Sequence, residues 1–331
     1  MDDYTILKKL ATGGQGTTFL VQRQSRGDTL VLKQCKCENL KEANAALKES
    51  KMLQSLNNRS IVQYYDVFLD EEAQYLIICT VMEYCPGGDL AVYMNKLRHE
   101  GQRIPEGTVI RWTLDMARGL DYLHGVNVVH RDMKPLNIFM TGGGNVKIGD
   151  FGLAASSKRE KKQSQVGTPC YLSPEILQND AYGPAVDVWG AGCIVLEMMT
   201  LEFLWERRGM LSVQVLSRPV THEDIPGDYS RALKSIAIST LQKEPENRPK
   251  ASEMAHRCSQ LLQGVQRGAA PGGAGVDIIG GGIEHFAQGL EAIWKQAGGE
   301  AQSGAAQKPK NAPQAPILAG GGGTQHPQYW Y

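Results

Sequence analysis

The sequence predicts an α+β fold of two lobes: a small β-rich N-lobe with one main helix, then a larger, mostly helical C-lobe, followed by a disordered C-terminal tail. Three observations predict it. Residues 4–34 alternate with the period of two that strands require, whereas later segments space their apolar residues for helices. The chain has 331 residues, too many for one small core and enough for a two-lobed domain with a tail. Past Gln263 the composition turns to Gly, Ala, Pro and Gln and runs into Gly320-Gly321-Gly322-Gly323, which cannot bury a core.

Taken in order, Tyr4-Thr5-Ile6-Leu7, Thr18-Phe19-Leu20-Val21 and Thr29-Leu30-Val31-Leu32 read as strands. A helix over residues 40–56 carries Leu47, Met52 and Leu53 as apolar positions and turns Lys48 and Lys51 to solvent. Residues 75–82 form a buried strand. Residues 104–124 set Val109, Trp112, Leu114, Met116, Leu120 and Leu123 at the spacing of a core helix. Val146-Lys147-Ile148 is a strand that delivers Asp150. The domain therefore spans residues 4–263, with an N-lobe at about 4–82, a hinge at 83–85 and a C-lobe at about 86–263. In the tail, residues 264–331, only 283–297 repeats apolar residues at helical spacing (Ile283, Phe286, Leu290, Ile293, Trp294), a stripe suited to docking on the domain or on a partner.

Lys and Arg total 35 and Asp and Glu total 35, so no global field recruits nucleic acid or an anionic membrane. No run approaches the length of a membrane span, and Met1-Asp2-Asp3-Tyr4 lacks the basic and apolar regions of a secretory leader. The seven cysteines are odd in number and contain no CxxC pair, which argues against a disulfide framework or a zinc site. A reducing, cytoplasmic location is expected, with nuclear or cytoskeletal association left open.

The chemistry concentrates in His130-Arg131-Asp132-Met133-Lys134-Pro135-Leu136-Asn137 and Asp150-Phe151-Gly152. Asp132 can accept the proton of an incoming hydroxyl, and Lys134 can neutralise charge on a transferring phosphate. Asn137 and Asp150 supply the hard oxygen ligands that Mg²⁺ prefers. His130 reads as a packed structural histidine, because Asp132 already occupies the position of the base. Upstream, Ala11-Thr12-Gly13-Gly14-Gln15-Gly16 is a glycine-rich turn between two strands, able to bring backbone N–H groups close to phosphates or simply to close a hairpin. Lys33 ends an apolar strand, an unusual place for a charge unless something pairs it.

These motifs, together with Glu49, Ser173-Pro174-Glu175, Asp187 and Arg248 in the same order, resemble a eukaryotic serine/threonine protein kinase from about Tyr4 to about Gln263. Ile61-Val62-Gln63-Tyr64, Cys85-Pro86-Gly87-Gly88-Asp89-Leu90, Ile148-Gly149-Asp150-Phe151-Gly152 and Val166-Gly167-Thr168-Pro169 are most similar to the NIMA-related (NEK) family. The resemblance implies the two-lobed protein kinase fold, ATP and Mg²⁺ as cofactors, and transfer to Ser or Thr of protein substrates. It gives Leu10, Ala11, Thr12, Gly13, Gly14, Gln15, Gly16, Thr18, Lys33, Glu49, Glu83 and Cys85 to ATP, with Glu49 as a partner of Lys33. Ala11, Gln15 and Thr18 depart from the family's G-x-G-x-x-G-x-V loop, and on that account a pseudokinase-like binding module is the alternative. Asp187 is expected to hold the catalytic loop, and Glu175 with Arg248 to form a buried ion pair. Arg131 implies control by phosphorylation of the activation segment, with Ser164 and then Thr168 as candidate sites. Leu136 stands where kinases that select arginine often carry Glu, and the NEK likeness implies an apolar residue upstream of the phosphoacceptor.

Overall fold

The computed structural model describes residues 3–13, 16–72, 75–151, 171–202 and 219–268. Strands β1 (Tyr4–Gly13), β2 (Gly16–Arg23), β3 (Thr29–Cys37), β4 (Tyr64–Glu72) and β5 (Tyr75–Glu83) form one antiparallel sheet in the order β1-β2-β3-β5-β4. β4 was not legible as a strand: a bulge between Tyr64 and Asp66 breaks its period of two. On one face, Val21, Leu30, Leu32, Ile77, Cys79 and Val81 bury one another, with Tyr4, Phe19 and Phe68 packed against them. The other face carries α1 (Leu40–Gln54), which starts where Asn39 Oδ1 accepts the Glu42 N–H at 3.0 Å. Ala43 of α1 packs on Cys37 and Ile78, and Ser50 Oγ lies 3.1 Å from Thr80 Oγ1.

β5 runs one residue further than the expected N-lobe boundary, so Glu83 is the last residue of the sheet and pairs across from Leu30. The helical lobe follows with α2 (Leu90–Glu100) and α3 (Glu106–Gly125), a short hairpin of β6 (Ile138–Met140) and β7 (Val146–Ile148), α4 (Pro174–Leu177), α5 (Ala185–Thr200), α6 (Arg231–Thr240) and α7 (Ala251–Gly268). All six apolar residues read as the core stripe of α3 are buried, and α3 packs between α5 and α7. Helix α5 is buried from Val186 to Met199, so it is the spine of the lobe rather than an amphipathic surface helix. Leu53, Leu56, Ile61 and Tyr64 join the core of the helical lobe, so α1 and the segment after it are built into both lobes. α7 continues to Gly268, past the boundary expected at residue 263. Six of the seven cysteines are described, all with free thiols. No helix among the described residues is long and apolar enough to cross a membrane.

Candidate active site

The site forms where β7 ends. Ile148 donates its N–H to Ser60 O and accepts from Val62 N–H, both at 2.9 Å, which fixes β7 against the chain leading into β4. Gly149 follows because nothing larger fits: a Cβ there would lie 2.8 Å from Val62 Cγ2 and 2.9 Å from the Phe139 ring. Asp150 then takes φ +55°, a left-handed conformation that costs a non-glycine residue about 1–3 kcal/mol and is characteristic of functional sites. Phe151 anchors the turn, with 1% exposure, its ring 6.0 Å from Tyr64 and 4.8 Å from His130. With that ring buried, Asp150 points to the sheet, where Lys33 Nζ donates to its Oδ1 at 2.7 Å.

The structure gives Lys33 an ion pair with Asp150. Glu49 is half-buried on α1, near enough for its carboxylate, like that of Asp150, to act on Cys35 and Tyr64. Burial first, and then Asp150, push the Tyr64 hydroxyl far above the ordinary phenol range, partly offset by hydrogen bonds from the Phe151 and Asp150 backbone. Across the sheet, Ala11 stands opposite Thr18, Thr18 opposite Lys33, and Lys33 opposite Thr80, so these residues line one column of one face. Leu10 falls at a bulge between Lys9 and Ala11, Thr12 pairs with Thr17, and Gly13 with Gly16 closes the hairpin. Gly16 has φ +126°, and a Cβ there would lie 1.9 Å from Gln34 O, so its need for glycine comes from packing on β3.

The loop from His130 to Asn137 hangs on Asp187, which is fully buried in the first turn of α5. Its Oδ1 accepts the Arg131 N–H at 2.8 Å, and its Oδ2 accepts the His130 N–H at 2.9 Å and pairs with His124 Nε2 at 2.9 Å. Those bonds hold Arg131 at φ +68°. His130 Nδ1 accepts the Asp132 N–H at 3.3 Å, so the ring proton is on Nε2 and is donated to Gly149 O at 3.1 Å. His130 is thus a buried brace between the two loops, as its reading as a structural residue anticipated.

Asp132 divides its carboxylate. Oδ2 accepts from Lys134 Nζ at 2.8 Å and Asn137 Nδ2 at 3.0 Å, while Oδ1 makes no bond to any described residue. Asn137 spends its amide nitrogen on Asp132, at 2.7 Å to the backbone O as well, and among the described residues its own Oδ1 has no hydrogen-bond partner. Among the described residues Asp150 Oδ2 likewise has no hydrogen-bond partner, Lys33 being bound to Oδ1. At the hinge, Met82 stands across from Val31 and from Tyr64, and Cys85 is buried. Burial pushes the Cys85 thiol up to about 12, the Glu83 carboxylate adding to the shift and Lys147 opposing it.

Support comes from Glu175 and Arg248, joined by two bonds of 2.7 and 2.8 Å in the interior. Burial raises the Glu175 pKa, but the Arg248 guanidinium, its own backbone N–H and Ser173 outweigh that and hold it below the ordinary value. Residues 4–258 match the family described as protein kinase domain. The chain belongs to the protein kinase family. Its kinase domain is 34% identical over 256 residues to serine/threonine-protein kinase Nek6 of Oryza sativa subsp. japonica, covering 77% of this chain and 47% of that protein. It is 34% identical over 261 residues to probable serine/threonine-protein kinase nek2 of Dictyostelium discoideum, covering 77% of this chain and 62% of that protein. Against serine/threonine-protein kinase Nek3 of Mus musculus the identity is 33% over 264 residues, covering 78% of this chain and 50% of that protein. The chain thus spans about half the length of these curated relatives.

Within the kinase domain, sequence reasoning missed Tyr64 as a packing partner of Phe151, Phe139 as the ring against Gly149, and Lys147, which pairs with Glu83. The apolar–aromatic run Ile61-Val62-Gln63-Tyr64 carried a signal for the first; the other two carried none, since each needed a tertiary neighbour. Gly14, Gln15, Gly152, Ser164, Thr168 and the stripe at 283–297 lie outside the described residues.

Proposed function

We propose that this kinase domain transfers the γ-phosphoryl group of ATP to serine or threonine hydroxyls of protein substrates. The observation that carries the reading is the divided carboxylate of Asp132: one oxygen is held by Lys134 and Asn137, and the other is free to accept a hydroxyl proton. Fixing Oδ2 aims Oδ1, so the base needs no search for its orientation when a substrate arrives. The Lys134 ammonium lies beside Asp132 Oδ2, where it would neutralise negative charge on the transferring phosphoryl group.

Asn137 Oδ1 and Asp150 Oδ2 fit a magnesium ion, being hard oxygens without competing partners among the described residues, on loops fixed by Asp187 and Phe151. Bound there with the nucleotide, Mg²⁺ would supply charge neutralisation on the phosphates. Lys33 holds Asp150 in place and has its ammonium on the side where α- and β-phosphates would lie, below the hairpin closed by Gly13 and Gly16.

On the substrate side, Leu136 is 47% exposed beside the base and carries no charge, which favours peptides without a required arginine and with an apolar upstream residue. Arg131 lies 5.7 Å over the Tyr182 ring and is the residue through which phosphate on Ser164, or else Thr168, would order the activation segment. The cytoplasm, with nuclear or cytoskeletal association, is the location proposed, and the stripe at 283–297 is proposed to dock a partner or the domain itself.

The test is label transfer from [γ-³²P]ATP to generic protein substrates by the full chain. Wild type should label Ser and Thr, and Asp132→Asn should lose about 10²–10⁴ of the rate. A variant as active as wild type would remove Asp132 as the base. Nucleotide binding without any label transfer would favour the binding-module reading.

A further inference from the structure

One charged pair spans the two lobes and has no part in the phosphoryl-transfer chemistry. Lys147 sits on β7, three residues before Asp150, and its Nζ donates to Glu83 Oε2 at 2.7 Å. Glu83 closes β5 and is the last residue of the sheet before the chain crosses to the helical lobe. The same Oε2 accepts the Gln63 N–H at 3.2 Å, while the Glu83 N–H donates to Gln63 O at 2.8 Å. Gln63 in turn follows Val62, whose N–H bonds Ile148 O at 2.9 Å. One carboxylate therefore gathers the strand that leads into the hinge, the segment leading into β4, and the strand that carries Asp150.

The side chains are 16% and 24% exposed, so water and salt screen this pair less than a surface pair. Among the described residues, Lys147 has no other ionic partner. An opening of the cleft that swung the end of β5 away from β7 would act on this bond. The hinge backbone permits that rotation by turning about its own torsions, but a bond of this length between the two strands must stretch or break.

We propose that Lys147 is a positioning residue, whose clasp on Glu83 ties the base-binding side of the cleft to the strand holding the metal ligand and thereby sets how fast nucleotide leaves. The proposal rests on the reading of the cleft as a magnesium-nucleotide site. Lys147 touches neither the phosphates nor the acceptor hydroxyl, so its loss should alter nucleotide release and leave the phosphoryl-transfer step itself unchanged.

The experiment is a double-mutant cycle on the full chain with Lys147→Met, Glu83→Gln and both together. Stopped-flow fluorescence gives the dissociation rate of the mant derivative of ADP with Mg²⁺, and single-turnover label transfer gives the chemical step. Each single variant should release nucleotide roughly tenfold faster, the effect of one charged hydrogen bond. The double variant should be no faster than either single, since both remove one interaction. For Lys147→Met, KM for ATP should rise with the single-turnover rate unchanged, and Lys147→Arg, which keeps the charge, should retain slow release. Release from Lys147→Met at the wild-type rate, or effects that multiply in the double variant, would overturn the clasp. Wild type that fails to bind the probe would instead overturn the nucleotide-site reading, and the clasp with it, a result distinct from normal binding with unchanged release.

Discussion

Replacing Arg248 by Met tests how the helical lobe is held together. The guanidinium has five N–H groups, and all five are used: Nε to Gln242 O, one terminal nitrogen to Glu175 and Ala185 O, the other to Glu175 and Lys243 O. Arg248 also lies 4.9 Å over the Trp189 ring, so a methionine fills part of the volume but none of the polar role. The variant leaves Glu175, 5% exposed, as a buried carboxylate without its cation. Breaking one side of such a pair costs roughly 3–5 kcal/mol. For a domain of this size that is a fall in melting temperature of roughly 6–20 °C. The sign of the pH dependence separates this account from simple loss of packing. In the wild type Glu175 is held below its ordinary pKa, so its contribution is complete at neutral pH and is lost only in acid, as pH falls through the depressed value. In Arg248→Met burial, the largest cause, is opposed only by the Glu175 backbone N–H and Ser173, so the Glu175 pKa rises from its wild-type position and acidification from pH 7 to 5 should return stability to the variant and none to the wild type. Calorimetric melting at both pH values reads this directly. A loss under about 1 kcal/mol, or parallel pH profiles, would refute the reasoning.

Other expectations follow from the same geometry. Gly16→Ala should destabilise the N-lobe, because its Cβ would strike Gln34 O and its φ is +126°, whereas Gly13→Ala meets open space and should melt as wild type does; equal melting temperatures for the two would count against the described hairpin. Asp187→Asn turns an amide donor toward a backbone N–H donor in either orientation, since Oδ1 and Oδ2 both accept. That variant should lose roughly 1–3 kcal/mol of stability and most of its turnover while keeping nucleotide affinity, measured by denaturation, steady-state kinetics and titration; full turnover would contradict the role given to Asp187.

What was legible in the sequence follows a physical division. α3 and the strands at Phe19 and Leu32 announced themselves because each buries a single face or is buried throughout, so their apolar periods are intact. The gathering of Asp132, Lys134 and Asn137 was legible because one short loop carries them, and the bonds among them span at most five residues. The burial of His130 as a structural residue and the grip of Asp187 on the loop also emerged as anticipated. Tertiary encounters were not legible. The bulge at the start of β4 hid a strand, and Lys33 met Asp150, 117 positions away, a bond whose direction no local pattern encodes. Lys147 looked like an ordinary polar residue of a short strand until Glu83 stood beside it.

The claim on which the rest depends is that Lys33, Asp132, Asn137 and Asp150 share one magnesium-nucleotide pocket. Isothermal titration with ADP, in Mg²⁺ and in EDTA, for wild type and Asp150→Asn tests it most directly. The account predicts that wild type binds ADP more tightly with Mg²⁺ and that Asp150→Asn binds ADP equally with or without the ion. Wild type that takes up no nucleotide, or a variant that keeps the full Mg²⁺ effect, would contradict it.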